Sequence, residues 1–336
     1  HHTQSWAVAD VTHDSAHGQS GYSARRARPI RSHRRVRVPP TRRRSVASSL
    51  VAKPKKLASA LSKRGPHKVL RGDLALAGQP GVVYTPAEGF GLPGVAFAHG
   101  WMLRPSHYTD TLKHLASWGI VVAAPDTEHG LVPSHRGLAA DLGTVLDIMT
   151  GVRLGPGNIS VHPDKLATAG HAMGAGTAVL AASRRSDIKA VAALFPAPTA
   201  PASEEAAATL KVPGLVVGDN SNADSLTDNS LALAQAWHGP SVLRRVDGST
   251  SDGFVEGRRI LGALGINKPD RKTQQRTRAV LTAFLLFHLT GDSDYEELAG
   301  MTGEIDGTRA VDPHAPLDAQ PKPKATASIK ALLGRG

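Results

Sequence analysis

The chain has 336 residues and is 40% hydrophobic, enough to bury the core of one large domain or two small ones. It contains no cysteine, which excludes disulfides, thiolate metal sites and a cysteine nucleophile. The net charge of +12 is unevenly distributed, because residues 25–71 hold 17 lysines and arginines and no acidic residue. The basic character therefore belongs to an N-terminal arm and indicates an anionic partner for that arm alone.

The N-terminal arm, residues 1–71, is predicted to be a disordered basic segment and linker. Residues 1–44 are rich in Arg, Ser, His and Pro and show no apolar period. A short basic helix is expected at 46–61, interrupted at Pro54. The arm could contact an anionic membrane surface or another polyanion, or be a solvated tail without a partner. The first residue is His rather than Met, which fits a fragment or a processed chain.

Neither a signal peptide nor a membrane span is evident in the sequence. The N-terminus lacks the apolar stretch of about 7–15 residues that a signal peptide needs. The most apolar predicted helix, residues 279–289, is too short to cross a bilayer. We therefore expect a cytoplasmic protein that can be peripheral to the membrane; the oligomeric state is not indicated.

Between residues 72 and 292, apolar strands alternate with amphipathic helices. The strand at 119–125 has no polar alternation, which is typical of parallel strands covered on both faces. The pattern predicts a single α/β domain with a doubly wound, mostly parallel sheet, and residues 293–336 are expected to form a tail. Strands are predicted at 81–86, 92–98, 119–125, 166–169, 188–195, 212–217 and 241–246, and helices at 105–118, 134–149, 225–237 and 274–289, with a further helix that starts after the turn following 166–169 and continues through 177–182.

Residues 166–176, LATAGHAMGAG, predict a buried strand, a tight turn and the start of a helix. Gly170 and Gly174 have the spacing of the G-x-S-x-G nucleophile elbow, and Gly176 follows two residues later, so we call residues 170–176 the elbow. Glycine is needed there because strand and helix approach closely around a strained turn. The nucleophile position is occupied by Ala172, whose methyl group cannot attack a carbonyl.

Five segments in chain order resemble the α/β hydrolases, in particular the bacterial PET hydrolases, cutinase-type lipases and dienelactone-hydrolase-like proteins. The resemblance covers residues 72–292 and implies an α/β-hydrolase fold with carboxylic-ester chemistry by a Ser–acid–His relay in that chain order. The segments are FAHGW at 97–101, LASWGIVV at 115–122, VHPDKL at 161–166, GHAMGAG at 170–176 and VPGLVVG at 212–218.

Carried over position by position, the relay of these hydrolases is incomplete. The serine maps to Ala172, and the histidine maps to Ser251 in the segment GSTSDGF. The acid maps to Asn222 or Asp224, with Asp219 within the slack of the same loop. No histidine occurs between residues 238 and 288, so the resemblance implies that both the serine and the histidine are substituted.

These substitutions predict a hydrolase-fold protein without the catalysis of its relatives, which binds an ester, lipid or carboxylate ligand. The amides of Met173 and of a residue near Trp101 are expected to bind a carbonyl or carboxylate oxygen at the start of a helix. The same apolar side chains could instead serve packing alone. The predicted pocket residues flank the elbow or follow the second predicted strand: Trp101, Met173, His99, Met102 and His171.

Two other functions stay open at this stage. An ester hydrolase would need a replacement nucleophile, and Ser249, Thr250 and Ser251 cluster beside Asp252, with His171 as a candidate base. A scaffold protein would use the basic arm as a tether and the domain to dock a partner. No cofactor and no metal are expected, because no phosphate-binding glycine loop and no metal-ligand spacing occurs.

Overall fold

The computed structural model of the chain describes residues 5–7, 54–219, 228–257 and 269–315. In this part of the chain, ten strands form one sheet with helices on both faces. Residues 5–7 form a strand of this sheet, contrary to the disorder predicted for residues 1–44. The rest of that prediction, and Asn222 and Asp224 as the acid position, lie outside the described residues.

The sheet is mostly parallel, and its spatial order is β1-β2-β3-β5-β4-β6-β7-β8-β9-β10. Antiparallel pairs join β2 to β3, β3 to β5, and β9 to β10, whereas the pairs from β5 through β9 are parallel. The predicted doubly wound α/β class is therefore confirmed. The strands are β1 Ser5–Ala7, β2 Val69–Asp73, β3 Gly81–Pro86, β4 Gly89–Ala98, β5 Val121–Pro125, β6 Ile159–His171, β7 Ile188–Leu194, β8 Gly214–Gly218, β9 Ser241–Val246 and β10 Thr308–Val311.

Helices connect most of the parallel strands, as right-handed crossovers in such sheets require. Short 3₁₀ turns lie at Leu74–Ala77, Pro105–Tyr108 and Ser293–Tyr295. The α-helices are α1 Pro54–Leu61, α2 Thr109–Ser117, α3 His135–Gly151, α4 Met173–Ala182, α5 Ser203–Ala207, α6 Ser230–Ala236, α7 Ser251–Phe254, α8 Arg271–Thr290 and α9 Glu296–Ala299.

The sheet separates two apolar layers, because alternate side chains of each strand point to opposite faces. On one face α1, α2 and α8 pack through residues such as Leu112 and Phe284. On the other face α3, α4 and α6 pack through residues such as Leu142 and Val179. Helix α4 is buried along its whole length, which its alanine- and glycine-rich sequence permits.

The structure corrects the predicted domain limits at both ends. Helix α1 and strand β2 precede residue 72, and α9 and β10 follow residue 292. Strand β10 pairs with β9, and the buried Arg244 of β9 donates to the carbonyls of Leu298, Gly300 and Gly303. The segment after residue 292 has no apolar periodicity strong enough to predict a strand. It is held in place by the buried Arg244, which lies 54 or more residues away in the sequence.

Two further corrections concern helix ends. Proline at position 54 begins α1 rather than interrupting a longer helix, which fits the tolerance of proline in a first helical turn. The predicted helix at 105–118 is divided into a 3₁₀ turn and α2. In the described residues no helix is both long and apolar enough to span a membrane.

Candidate active site

The elbow lies where strand β6 ends and helix α4 begins, near the middle of the sheet. Ala172 has φ 53° and ψ −119°, in the left-handed half of conformational space that residues with a side chain seldom adopt. Its amide donates to the Leu194 carbonyl at 3.0 Å, and its carbonyl accepts from Ala197 at 3.2 Å. The turn thus has the backbone of a nucleophile elbow.

Two of the elbow glycines are required by close approach of the backbone. A methyl group on Gly170 would overlap the carbonyl of Gly174, and one on Gly174 would overlap the carbonyls of Ala98 and His99. At Gly176 a methyl group would overlap the side chain of Thr199. Gly170 and Gly174 therefore let helix α4 begin directly against strands β4 and β6.

His171 is the second residue of the elbow, and its buried side chain connects three segments of the site. Its side chain is only 1% exposed, and its Nδ1 lies 2.8 Å from the hydroxyl of Tyr108. That hydroxyl accepts from the amide of Gly100 at 3.0 Å. On the other side of the ring, Nε2 lies 3.0 Å from both the carbonyl oxygen and the Oγ of Ser251.

Aromatic rings surround the imidazole of His171. The ring centroid of Phe254 lies 5.3 Å away, that of Tyr108 5.6 Å and that of Phe195 6.2 Å. These contacts restrict the ring to one orientation, with its two nitrogens directed at Tyr108 and Ser251. The sequence placed His171 near the pocket but could not show which way its ring points.

Ser251 is the first residue of α7, in a segment that follows β9. Thr250 caps this short helix by accepting from the amide of Gly253 at 3.1 Å. The segment is held at its far end by Glu256, whose amide donates to the carbonyl of His107. Ser251 is therefore a half-buried residue at a fixed place beside the elbow, where the resemblance expects a histidine.

Two backbone amides beside the elbow are available to a ligand. Met173 is the first residue of α4, where amides have no partner within the helix. Trp101 follows strand β4, and neither its amide nor that of Met173 donates to an acceptor among the described residues. Backbone N–H groups at a helix start favour negative charge, so the Met173 amide suits an oxygen that carries partial negative charge.

A cavity of about 980 Å³ opens over the elbow, and we call it the elbow pocket. Apolar residues at its mouth include Trp101, Leu131 and Val132, which are 54%, 73% and 94% exposed. The indole of Trp101 donates to the Leu131 carbonyl at 3.1 Å, which connects the two loops of the rim. The other lining residues are Leu103, Pro133, Ser134, His135, Arg136, His171, Ala172, Met173, Ala197, Pro198, Ala200, Asp219, Asp228, Thr250, Ser251 and Asp252.

Three of the five predicted pocket residues line this cavity, namely Trp101, Met173 and His171. The other two do not. His99 is buried behind the pocket, where its ring nitrogens contact the carbonyls of Gly100 and Thr127 at 2.9 and 2.7 Å. Burial lowers the pKa of His99. Met102 is half exposed, has a positive φ of 54°, and lies outside the pocket lining.

The acidic side of the pocket is formed by Asp219, Asp228 and Asp252. Burial raises the pKa of Asp228, and the nearby charge of Asp219 raises it further, although a hydrogen bond from Ser230 opposes these effects. Against these carboxyl groups the lining holds one permanent cation, Arg136, in the described part of the chain. The nearby charge of the buried Arg245, which lies outside the lining, lowers the pKa of Asp228.

Sequence reasoning missed Asp228, Tyr108 as a partner of His171, and the apolar loop of Leu131 and Val132. No local signal could have identified them, because each reaches the site through contacts between distant segments. In the described residues no cluster of three metal-ligating side chains is present.

The sheet order and the elbow define an α/β-hydrolase fold. A family model described as PET hydrolase-like matches residues 50–235, more than half of the chain, so the protein belongs to the PET hydrolase-like family. Cutinase est1 and cutinase est2 of Thermobifida alba are each 32% identical to it over 117 residues, or 34% of this chain. The match spans 39% and 38% of those two curated relatives, about two fifths of their length.

Proposed function

We propose that the protein binds neutral carboxylic esters in the elbow pocket, with the ester carbonyl oxygen on the amides of Trp101 and Met173. The observation that carries this proposal is the presence of two unused amides beside an apolar cavity, that of Met173 at the start of α4 and that of Trp101 after β4. Membership of a family described as PET hydrolase-like supports a carboxylic-ester ligand.

The apolar mouth of the pocket refines the class of ligand. A free carboxylate would lose part of its hydration against the apolar residues of the mouth, which costs a charged group far more free energy than a neutral one. A neutral ester presents the same carbonyl oxygen without that cost. Its acyl or alkyl chain would contact Trp101, Leu131 and Val132 at the mouth.

The proposal includes the loss of the relay used by serine hydrolases of this fold. Ala172 stands at the elbow and Ser251 stands where those enzymes have histidine, so hydrolysis cannot start from residue 172. In subtilisin, removal of the serine lowers the rate by about 10⁶-fold, and binding persists without it. Ester binding is therefore the function that requires no catalytic group in addition to those present in the pocket.

Binding is tested by calorimetry with 2-octanone, a ketone that presents an ester-like carbonyl and cannot be hydrolysed. We expect saturable binding of 2-octanone and binding of hexanoate that is about tenfold weaker or more, because the anion loses more hydration free energy than the ketone on entering an apolar pocket. Equal or tighter binding of hexanoate would contradict the ligand class, and no binding of either would contradict the proposal.

The role of the Met173 amide is tested with a matched pair, Met173→Pro and Met173→Ala. Both variants remove the methionine side chain, but only proline removes the N–H, and proline is accepted at a first helical position. Loss of one hydrogen bond predicts roughly five- to tenfold weaker 2-octanone binding by the proline variant. Melting temperatures of both variants verify that the turn at Ala172 is kept.

A separate proposal concerns the part of the basic arm that precedes α1, residues 1–53, whose net charge is +9. We propose that it binds an anionic membrane surface at the cytoplasmic side. Sedimentation with vesicles that contain an anionic lipid should fall steeply with added salt and vanish when residues 1–53 are deleted. Unchanged sedimentation of the deleted chain would contradict it.

A further inference from the structure

A serine and a histidine meet in this site, although neither occupies the position that the hydrolase relay gives it. In the hydrolase relay the elbow carries the serine and the segment after the last parallel strand carries the histidine. Here the elbow carries His171, and Ser251 follows β9. The two side chains still meet, with Ser251 Oγ 3.0 Å from His171 Nε2.

We propose that Ser251 is a nucleophile and His171 its general base, so that the protein hydrolyses the esters that it binds. This inference rests on the proposed ester binding and adds turnover to it. The defining geometry of an activated serine is a hydroxyl within about 2.6–3.2 Å of a base that a third group orients. Tyr108 is that third group, at 2.8 Å from His171 Nδ1.

The hydrogen-bond partners of the His171 imidazole suit both protonation states that the reaction requires. With its proton on Nδ1, the ring donates to the Tyr108 hydroxyl, and Nε2 accepts the hydroxyl proton of Ser251. Once that proton has moved, the new Nε2–H donates to the Ser251 carbonyl oxygen at 3.0 Å. The other neutral tautomer, with its proton on Nε2, donates to the same Ser251 carbonyl and is the second form of the ring at rest.

The base is buried, whereas the nucleophile is accessible from the pocket, as the reaction requires. The ring of His171 is shielded by Phe254, Phe195 and Tyr108, which keeps water away from the base. Ser251 is half buried and lines the elbow pocket beside Ala172 and Met173. An ester whose carbonyl oxygen lies on the Met173 amide therefore enters the same cavity as the Ser251 hydroxyl.

The reaction proceeds in two balanced steps. Ser251 Oγ forms a bond to the carbonyl carbon while its proton passes to His171 Nε2, and the carbonyl electrons move to the oxygen held by the amides. Collapse breaks the bond to the alkoxy oxygen, which leaves as the alcohol with the proton from Nε2. Water then repeats the sequence on the acyl-serine, releasing the carboxylic acid and restoring both side chains.

The turnover should be slower than that of a complete serine hydrolase. The Tyr108 hydroxyl cannot stabilise the imidazolium as a carboxylate does. Loss of the acid from such a relay lowers the catalytic rate about 10⁴-fold. General base catalysis nevertheless contributes about 10²–10⁴-fold over an unassisted hydroxyl. The reaction should therefore be detectable with an activated ester.

The test uses the full chain with a fluorophosphonate probe and with p-nitrophenyl butyrate. Peptide mass spectrometry should place the phosphonate on Ser251, and Ser251→Ala and His171→Gln should both abolish labelling. The same variants should lower ester turnover about 10²-fold or more. The control is Ser249→Ala, because Ser249 is a buried serine of the same segment whose hydroxyl donates to the Val246 carbonyl.

Absence of a phosphonate on Ser251 in the unmodified chain would overturn the inference, as would turnover that survives in Ser251→Ala. The 2-octanone titration then separates the two proposals. Binding without labelling overturns the Ser251 relay and keeps ester binding, whereas absence of both overturns both. Because the labelling is mapped on the unmodified chain, the test stands even if His171→Gln does not fold.

Discussion

At the scale of single residues, the elbow retains a strained backbone although it lacks a serine. A residue with a side chain at positive φ and extended ψ costs about 1–3 kcal/mol, and Ala172 is held there by the hydrogen bonds of its own amide and carbonyl. The strain orients position 172 toward the pocket whichever side chain it carries. The chemistry of the site is therefore decided by two side chains, Ala172 and Ser251.

A second single residue, His114, makes the stability of the fold depend on pH. It is 5% exposed, its Nε2 has no partner, and burial with the nearby charge of Arg278 lowers its pKa to about 3. The unfolded chain binds a proton here below about pH 6.5, whereas the folded chain does so only near pH 3. Stability contributed by neutral His114 is thus present above pH 6.5 and is lost as the pH falls.

We predict that the free energy of unfolding falls by about 1.4 kcal/mol per pH unit from this group between pH 6 and 4. Urea unfolding at several pH values measures this slope. The variant His114→Gln should lower the slope by the contribution of about one bound proton. The lowered pKa values of His99, His135 and His288 add a slope that both proteins share. An identical slope in the variant would contradict the prediction.

At the scale of elements, Glu256 joins the segment after β9 to helices α2 and α8. Its carboxylate accepts from the amides of Asp110 and Thr111 at 2.6 and 2.8 Å, which caps the first turn of α2. It also accepts from Arg278 of α8 at 2.8 Å, with both side chains largely buried. Because Ser251 lies in the segment that Glu256 closes, this ion pair fixes one wall of the elbow pocket.

We predict that Glu256→Ala lowers the free energy of unfolding by about 3–5 kcal/mol, because it leaves a buried guanidinium and two amides without their acceptor. Denaturant unfolding is the measurement. The control is a double variant, Glu256→Met with Arg278→Met, which removes both charges and should be more stable than Glu256→Met alone. If the double variant is the less stable of the two, the ion pair is not the source of the effect.

At the scale of the whole molecule, the sheet is completed by residues beyond the last long helix. Strand β10 covers the edge of β9, and Leu298, Ile305 and Val311 are buried with it. Arg244 is 1% exposed and has only neutral oxygens as partners in this region. Burial lowers the pKa of Arg244 to about 10, so the group stays charged near neutral pH.

We predict that a chain ending at residue 292 loses at least about 4 kcal/mol of stability relative to one ending at residue 315. The reason is the exposure of three large apolar side chains, each stabilising by about 1.5–3 kcal/mol, and of the edge of β9. Thermal unfolding of both chains measures the difference. Equal melting temperatures would show that residues 293–315 do not stabilise the sheet.

The sequence by itself determined the fold class and the position of the elbow. Apolar runs such as 81–86 and 241–246 carry their secondary structure locally, and both strands have the predicted bounds. The elbow was equally local, because three glycines at fixed spacing encode a strained strand-to-helix turn. The absence of a serine at position 172 was visible for the same reason.

Only the tertiary structure decided which side chains meet at the site. His171 and Ser251 are 80 residues apart, and Tyr108 is 63 residues from His171, so no pattern along the chain relates them. Their contact depends on the order of the strands in the sheet and on the packing of α7. Local periodicity encodes whether a residue is buried, whereas hydrogen bonds between distant segments exist only once the chain has folded.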